Sequence, residues 1–382
     1  MTRIAFVSTR PPEPVTSGFA MRIHGILDHI PDGFEVMRIY PKSKAHKYPP
    51  HASFMPSGVS RLRELCEMTP SILLPYRYTP DCHEVKKRIA DFNPQLVIVS
   101  GIHVFPMIPP DFPVLYDAHN VEWHLCRGLI RHSSGSIAVR LHRFITMMKL
   151  RRREISLVKK SNFLFACSDN DAAYFSKLTG SQVPVVYNGT DTDYWSIHRN
   201  PEKGVLLFPG DMSYYPNIDE AEFLVDKVLP ELRRRGWKGR LVLCGRDPDL
   251  RVKSLAGDDV EVTGTLDDMR EYYSRSEILL APLRIGSGTP LKIITALAAG
   301  LPVVTTSRVA VSLGISEGGV VLQADSPEEI ASQVLRLIGD QQLAEELSRQ
   351  GIRLAHEKYS WNVVGSKFWT EVGNCLGSIN LK

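Results

Sequence analysis

The sequence predicts an α/β protein made of two doubly wound domains that face a central cleft. Short apolar runs typical of buried parallel strands recur in both halves, as at Ile4–Val7 and Val205–Phe208. Most of these runs lead into a polar or glycine-containing loop and then a helical pattern. The chain has 382 residues, which is the length of two ordinary domains. Together these observations favour two Rossmann-like domains.

Composition excludes several classes of protein. Hydrophobic residues make up 43% and charged residues 23%, as in a soluble globular enzyme. A net charge of +4 is too small to indicate nucleic-acid binding. The six cysteines form no CxxC pair, and Cys167 and Cys244 lie in or beside apolar runs, so we expect core thiols and no zinc site. The chain enters a strand at once and has no long apolar run, so we expect a cytoplasmic protein without signal peptide or membrane span.

The first half opens with the strand Ile4–Val7 and a proline-rich loop to Ser17. Gly18 follows, and then apolar residues at helical spacing from Phe19 to Ile30. A strand, a glycine-containing loop and a helix are the usual opening of a doubly wound domain. The irregular stretch from Pro41 to Pro80 is interpreted as an insertion with a short helix near residues 62–66. It is either a functional loop or a variable surface excursion.

Three further strands are predicted at Leu96–Val99, Val114–Tyr116 and Phe163–Ala166. The second leads directly into Asp117, Ala118, His119 and Asn120. Ligands of open α/β sheets bind beyond the carboxyl ends of the strands. His119 and Asn120 therefore lie where reactive groups are expected, although a histidine here is also compatible with an ordinary loop.

A strongly basic helix is predicted at Val139–Lys160. It combines apolar residues such as Leu141 and Phe144 with eight lysines and arginines. A helix of this kind fits an anionic membrane surface. The same composition is also typical of the solvated side of a packed helix.

The second half repeats the alternation of strand and helix after a polar boundary near Trp195–Lys203. Before it, Val185–Tyr187 is predicted as a strand. Ser168 and Ser326 are predicted helix caps, and Ser326 with Pro327 and Glu329 has the pattern of a capping box. Further strands are predicted at Leu241–Cys244, Ile278–Ala281, Val303–Val304 and Val320–Leu322.

The stretch Ala281–Val304 is the most informative part of the chain. A strand is followed by Gly286 and Gly288, where the backbone can approach a ligand, and then by a helix that Thr289 is predicted to cap and Pro290 to begin. Free N–H groups at a helix start form an anion site. Lys292 in the first turn and Arg284 before the loop could bind the same anion, which predicts phosphate binding. The alternative is a tight turn with two surface cations.

These landmarks occur in an order that resembles the retaining GT-B glycosyltransferases of family GT4. They are Gly18, the segment from Asp117 to Glu122, Asn188-Gly189-Thr190-Asp191, Gly210 with Pro216-Asn217, and Ala281–Val304. The resemblance covers nearly the whole chain. It implies the GT-B fold, a nucleoside-diphosphate sugar donor, a saccharide, lipid-linked or small-molecule acceptor, and a place in cell-envelope polysaccharide synthesis.

The resemblance also implies roles for individual residues. Gly18 would approach donor phosphates and acceptor, and His119 would lie near the acceptor and the transferred sugar. Arg284 and Lys292 would neutralise the diphosphate. The remaining donor-binding positions are Gly210, Gly245, Arg246, Gly264, Gly286, Ser287, Gly288, Thr289 and Thr295, with base recognition near Gly245-Arg246 and Thr263-Gly264-Thr265.

Two departures from the family pattern leave alternatives open. Many members carry two glutamates eight positions apart, where this chain has Ser287 and Thr295, and the usual basic pair is replaced by Asp211 and Asn217. A sugar-nucleotide epimerase and a non-catalytic sugar-nucleotide-binding homologue therefore remain candidates. No Asp-x-Asp motif ends a strand, so neither a metal nor another cofactor is expected.

The expected domains are an acceptor-binding domain at residues 1–197 and a nucleotide-sugar-binding domain at residues 198–360. A helix at residues 361–382 is expected to return to the first domain. The expected location is the cytoplasm, with peripheral contact at the inner face of the membrane through the basic helix. The sequence does not specify the sugar, the acceptor, the linkage or the oligomeric state.

Overall fold

The computed structural model describes residues 1–9, 11–13, 17–40, 80–132, 137–286, 288–315 and 319–380. The predicted insertion at 41–80, with its short helix, falls almost wholly outside this range. The chain divides into an N-terminal unit, Met1–Tyr187 with Gly365–Lys382, and a C-terminal unit, Asn188–Val364. The boundary differs from the one expected after residue 197. Asn188 already belongs to the C-terminal unit because its side-chain amide donates to the carbonyl of Thr289.

The N-terminal unit contains a parallel five-stranded sheet. Its strands are β1 (Thr2–Ser8), β2 (Phe34–Ile39), β3 (Leu96–Ser100), β4 (Val114–Ala118) and β5 (Phe163–Ala166), in the order β2-β1-β3-β4-β5. Its helices are α1 (Gly18–Leu27), α2 (Pro80–Phe92), α3 (Glu122–His132), α4 (Ile137–Lys160) and α5 (Asp169–Thr179), with a 3₁₀ helix at Ile102–Met107. The apolar runs become central strands because both of their faces are covered, and every residue of β3 and β4 is buried.

The C-terminal unit contains a parallel six-stranded sheet in the order β11-β10-β9-β6-β7-β8. Its strands are β6 (Val205–Pro209), β7 (Arg240–Cys244), β8 (Val260–Val262), β9 (Ile278–Ala281), β10 (Val303–Thr305) and β11 (Leu322–Gln323). Its helices are α6 (Tyr215–Phe223), α7 (Leu229–Arg234), α8 (Leu250–Lys253), α9 (Arg270–Arg275), α10 (Leu291–Ala298), α11 (Ser307–Ser312), α12 (Pro327–Gly339) and α13 (Gln341–Leu354), with π-helical segments at Leu224–Val228 and Ala355–Tyr359.

The last helix, α14, spans Trp361–Asn380, and its residues from Gly365 onward belong to the N-terminal unit. There the indole N–H of Trp369 donates to the backbone carbonyl of Ile26 at 2.8 Å. This buried hydrogen bond attaches the end of the chain to helix α1. The bond satisfies both polar groups in the core, which an apolar contact alone would not do.

The predicted α/β class with two parallel sheets is confirmed. The predicted caps at Ser168 and Ser326 are present, since Ser168 accepts from the N–H of Asp171 and Ser326 forms the full capping box with Glu329. The predicted strand at Val185–Tyr187 is wrong: only Val185 makes a single bridge, to Ala166. The carbonyls that a strand would use there, those of Val186 and Tyr187, instead accept hydrogen bonds from the guanidinium of Arg22.

Candidate functional site

His119 lies just beyond the carboxyl edge of the N-terminal sheet. The register pairs Ser100, at the end of β3, with Asp117 of β4. The Ser100 hydroxyl oxygen is 2.7 Å from His119 Nε2 and 3.1 Å from Asp117 Oδ2. His119 Nε2 is also 3.3 Å from Asp117 Oδ2. Together with Arg22, these residues form what we call the His119 cluster.

Arg22 fixes the Asp117 carboxylate within this cluster. Its side chain is 1% exposed, and its Nε and Nη2 donate to the two carboxylate oxygens of Asp117 at 3.1 and 2.5 Å. Burial by itself would raise the pKa of Asp117, but Arg22 and the hydrogen bond to His119 outweigh it and hold the pKa well below its usual range. Asp117 is therefore a carboxylate, and it compensates the buried guanidinium.

The hydrogen bonds also define the state of His119. Burial lowers the pKa of the imidazole, and the contact with Asp117 only partly opposes this. Ser100 has one hydroxyl proton, and we assign it to Asp117 because a carboxylate can only accept. His119 Nε2–H then donates to the Ser100 oxygen, so the neutral ring carries its lone pair on Nδ1.

Helix α1 brings two side chains to this cluster. Gly18 is its first residue, and the hydroxyl of Ser17 caps it by accepting from the N–H of Ala20. Phe19 lies next to His119, with their ring centroids 4.6 Å apart, and Arg22 follows one turn later. Gly18 takes no part in the hydrogen bonds that join the four residues of the His119 cluster. Its place is at the start of the helix that carries Phe19 and Arg22.

The segment after His119 is held by a buried carboxylate. Glu154 of helix α4 accepts from the backbone N–H of Glu122 at 2.8 Å and of Trp123 at 3.4 Å. These N–H groups open helix α3 and have no partner within that helix. Burial, with repulsion from Glu122, raises the pKa of Glu154 to about 8, and burial raises the pKa of Glu122 to about 7. Helix α4 thus positions the connection that carries His119.

In the C-terminal unit, Gly210 and Gly245 lie where two loops approach closely beyond β6 and β7. The N–H of Gly210 donates to the carbonyl of Cys244, and a Cβ on Gly245 would lie 1.8 Å from the carbonyl oxygen of Gly210. Gly245 also has a φ of +148°. A side chain at Gly245 would collide with the Gly210 backbone, and a Cβ on Gly210 would lie 2.7 Å from the side-chain nitrogen of Asn217. Close packing is thus a structural reason for both glycines, in addition to the predicted ligand role.

Arg246 forms an ion pair with Asp211, whose Oδ2 lies 2.5 Å from its Nη2. Asp211 also accepts from the hydroxyl of Ser213. Gly264 has a φ of +74° and open space where a Cβ would be. The predicted base-recognition residues therefore include one cation that is already paired and one glycine required by its backbone conformation.

Arg284 and Lys292 both form ion pairs with helix α6. Arg284 Nη2 lies 2.7 Å from Asp219 Oδ2, and Lys292 Nζ lies 3.0 Å from Glu220 Oε2. Lys292 Nζ also donates to Asn217 Oδ1 at 3.0 Å. We call these two cations and the carboxylates of Asp219 and Glu220 the four-charge cluster. The surface-cation alternative is wrong for Lys292, whose side chain is 11% exposed.

The predicted cap of helix α10 is wrong in detail. The helix starts at Leu291 with Pro290 as its N-cap residue, which has no side-chain cap hydrogen bond. The Thr289 hydroxyl instead accepts from the backbone N–H of Asn188. Pro290 has no side-chain acceptor that could cap the helix, and the hydroxyl of Thr289 accepts from Asn188 instead. The N–H groups of the first turn therefore lack a side-chain cap.

The loop before α10 has the backbone conformation that the sequence suggested. Gly286 and Gly288 have φ angles of +115° and +81°, which favour glycine. A Cβ on Gly286 would meet no atom within 4 Å, so the space beside it is open. Arg308 of helix α11 donates to the carbonyls of Arg284 and Gly286. Ser287 lies outside the described residues, and Thr295 is buried within α10.

Sequence reasoning missed Arg22, Ser100, Asp219 and Glu220. One signal was present for Arg22, which is a charged residue at helical spacing from Phe19 and Ile26 on a predicted apolar face. Asp219 and Glu220 had no such signal, because acidic residues are ordinary on the exposed side of a helix. Only the packing of α6 against the segment with Arg284 and Lys292 gives them partners.

The described residues contain neither a metal-binding cluster nor a helix that could span a membrane. No group of three or more histidine, cysteine, aspartate or glutamate side chains in that part of the chain is arranged to hold a metal ion. Among its helices, none has the length and apolar character needed to cross a bilayer.

Comparison with known proteins gives a family match for part of the C-terminal unit. Residues 203–340 match the family described as Glycosyl transferases group 1. An exopolysaccharide phosphotransferase from Streptomyces coelicolor is 29% identical over 179 residues, which are 44% of this chain and 18% of that protein. The chain thus spans less than a fifth of this relative's length.

Solved structures match along the whole chain. Sucrose-phosphate synthase from Thermosynechococcus elongatus has a TM-score of 0.69 at 15% identity, covering 99% of this chain and 100% of its own. HepE from Anabaena, solved with UDP and glucose, has a TM-score of 0.63 at 14% identity, covering 98% and 100%. The fold is therefore GT-B, as the sequence predicted.

Proposed function

We propose that this chain is a retaining glycosyltransferase that moves a sugar from a nucleoside-diphosphate sugar to a saccharide, lipid-linked or small-molecule acceptor. The observation that carries the proposal is the position of Arg284 and Lys292 around the glycine loop before α10. This segment lies within the residues that match the group 1 glycosyl transferases. That HepE, a protein of similar fold, was solved with UDP and glucose supports a nucleotide-sugar donor.

The two cations suit the leaving group of this reaction. Transfer breaks the bond between the anomeric carbon and a phosphate oxygen, and the departing diphosphate gains negative charge. The nearly buried ammonium of Lys292 and the one-third exposed guanidinium of Arg284 stabilise that charge more strongly than fully exposed cations would. Gly286 and Gly288 have positive φ angles and no side chains, and the space beside Gly286 is open. A phosphate or sugar could therefore approach the backbone closely there.

His119 is proposed to act on the transferred sugar or the acceptor. In its neutral form, Nδ1 can accept a hydrogen bond from a sugar hydroxyl. If the ring takes up a proton, it can stabilise negative charge that develops during transfer. We assign no protein nucleophile and no metal ion to the reaction. Thr295, Arg246 and Gly264 remain proposed donor-binding positions.

The acceptor is proposed to be presented at a membrane surface, as part of cell-envelope polysaccharide synthesis. The exopolysaccharide relative points to this class of product. On helix α4, Leu141 and Phe144 are 58% and 50% exposed and lie one turn apart. Exposed cations on the same helix include Arg151, Arg152, Lys159 and Lys160. Exposed apolar side chains and exposed cations on one helix fit the interface of an anionic bilayer.

Incubation with a panel of nucleotide sugars, with and without saccharide, lipid-linked and small-molecule acceptors, tests the proposal. Release of nucleoside diphosphate that depends on an acceptor is the expected result. Recovery of the nucleotide sugar with one stereocentre of its sugar inverted would favour the epimerase alternative. Binding of the nucleotide without any turnover would favour the non-catalytic homologue. Either of the last two results contradicts the proposed reaction.

A further inference from the structure

We propose that Asp219 and Glu220 are built-in counter-ions of the donor phosphate site. A nucleoside diphosphate displaces them from Arg284 and Lys292, and Glu220 takes up one proton from the solvent when this happens. The inference rests on the proposed function and assigns two residues that set the affinity of the same site.

The geometry shows that the two cations are already engaged by anions. Asp219 lies 2.7 Å from Arg284 and Glu220 lies 3.0 Å from Lys292. The four charges sum to zero, so the cluster has no excess positive charge to attract a phosphate. A diphosphate can bind these cations only by competing with the carboxylates for the same N–H donors. The carboxylates therefore reduce the affinity for every anion.

Glu220 differs from Asp219 in its surroundings. Its side chain is 1% exposed, and its Oε1 is buried without a hydrogen-bond partner in the described part of the chain. The charged groups that face it are Lys292 on α10, Arg284 before the glycine loop, and Asp219 on its own helix. Burial raises the pKa of Glu220, and Lys292 opposes that change only in part. Burial of the Glu220 carboxylate therefore favours its neutral form.

A bound diphosphate would add at least two negative charges beside Glu220 and take over part of its contact with Lys292. Both effects favour the neutral carboxyl group. The proton comes from the buffer acid, forms an O–H bond on Glu220 and leaves the conjugate base in solution. Arg284 is one-third exposed, so water can hydrate Asp219 when the pair opens. Binding is then linked to proton uptake at a single site.

Titration calorimetry of UDP, with GDP and ADP run alongside, measures this proton directly. Experiments between about pH 7.5 and 9, in two buffers of different ionisation enthalpy, stay above the phosphate's own titration near pH 6. Where one proton is taken up, the affinity should fall about tenfold for each pH unit. Glu220→Gln, which keeps the size of the side chain, should remove this slope. The matched control is Glu222→Gln, because Glu222 lies on the same helix but pairs with the exposed Arg251.

Lys292→Arg separates the two titratable partners, because an arginine keeps its proton at every pH used. The pH slope should persist in Lys292→Arg, even if UDP binds more weakly. A slope that disappears in Lys292→Arg and remains in Glu220→Gln would place the proton on Lys292 and overturn the inference. So would a wild-type affinity that is the same at every pH, together with an apparent binding enthalpy that is the same in both buffers. That result would leave the proposed function intact, whereas binding of no nucleotide by any variant would contradict both.

Discussion

Lys292 and Glu220 form a nearly buried ion pair, with 3.0 Å between Nζ and Oε2 and side-chain exposures of 11% and 1%. Removing two charges from water costs free energy that their attraction only partly returns, so such a pair is a weak source of stability. Phe208 lies under the ammonium, with its ring centroid 4.0 Å from Nζ. We therefore interpret Lys292 as a cation held in place for a ligand rather than for folding.

Lys292→Ala should weaken the binding of a nucleoside diphosphate by about 1.5–3 kcal/mol, the range for a hydrogen bond to a charged group. The reason is that the phosphate loses its ammonium partner in a largely buried site. Calorimetry on the folded variant measures the change. Lys253→Ala, at an exposed position of α8, is the control and should bind normally. An unchanged affinity in folded Lys292→Ala would remove Lys292 from the phosphate site.

His119→Ala should lower turnover by about 10²-fold or more while donor affinity changes little. The expected split between turnover and binding follows from an interaction that strengthens in the transition state. Steady-state kinetics with saturating donor measure the first quantity, and calorimetry measures the second. A purely structural histidine would instead give a lower melting temperature with near-normal turnover per folded molecule.

The control for this experiment is His24→Ala. His24 lies on helix α1 and pairs with Asp28 at the surface, so its loss should affect neither turnover nor folding strongly. A fully active His119→Ala enzyme with normal thermal stability would exclude His119 from the site.

The buried carboxylate that holds helix α3 predicts a pH dependence of stability. Burial, with repulsion from Glu122, raises the pKa of Glu154 to about 8 in the folded protein, against about 4.3 in an unfolded chain. The folded state therefore binds this proton more tightly, and stability should fall as pH rises from the unfolded value through about 8. Thermal melts should give a lower Tm at pH 9 than at pH 6. Glu154→Gln should reduce this slope to the part that Glu122 contributes, and Glu84→Gln, on the exposed face of α2, should leave it unchanged.

A Tm that is unchanged between pH 6 and pH 9 would contradict the buried state of Glu154. A Glu154→Gln variant whose Tm changes with pH as much as that of the wild type would also contradict it. The glutamine carbonyl can still accept one of the two N–H groups, so the variant is expected to fold.

The exposed apolar pair on α4 predicts binding to anionic vesicles. In sedimentation, the wild type should bind vesicles with anionic lipid and dissociate as salt rises, because each close cation contributes roughly 1 kcal/mol. Leu141→Ser/Phe144→Ser should bind less at every salt concentration. The control is Val311→Ser, which removes an exposed apolar side chain from the C-terminal unit. Protein that stays in solution with anionic vesicles at low salt would contradict the proposed membrane contact.

The parallel sheets were predictable because a buried parallel strand needs two apolar faces. Ile4–Val7 and Leu96–Val99 are continuous apolar runs, and they became β1 and β3. The strand Phe34–Ile39 was missed. It is an edge strand with polar residues at Glu35 and Arg38, so its pattern was not a continuous apolar run.

The candidate site was only partly predictable. His119, Arg284 and Lys292 could be proposed because they follow strands, where the sheet topology collects ligand-binding groups. Their partners are Asp117, Asp219 and Glu220, and only Asp117 is close in sequence to the residue that it contacts. The pairing of the two cations depends on how helix α6 packs, and local sequence does not specify that.

Acceptor-dependent release of nucleoside diphosphate, with the anomeric configuration of the product followed by proton NMR, tests the central claim most directly. A nucleotide sugar that binds the wild-type protein is supplied as its α-anomer together with a saccharide acceptor. The proposal predicts that diphosphate appears only with acceptor and that the new linkage is also α. A β-linked product would contradict retention. A donor that is epimerised, or bound without being consumed by any acceptor, would contradict glycosyl transfer itself.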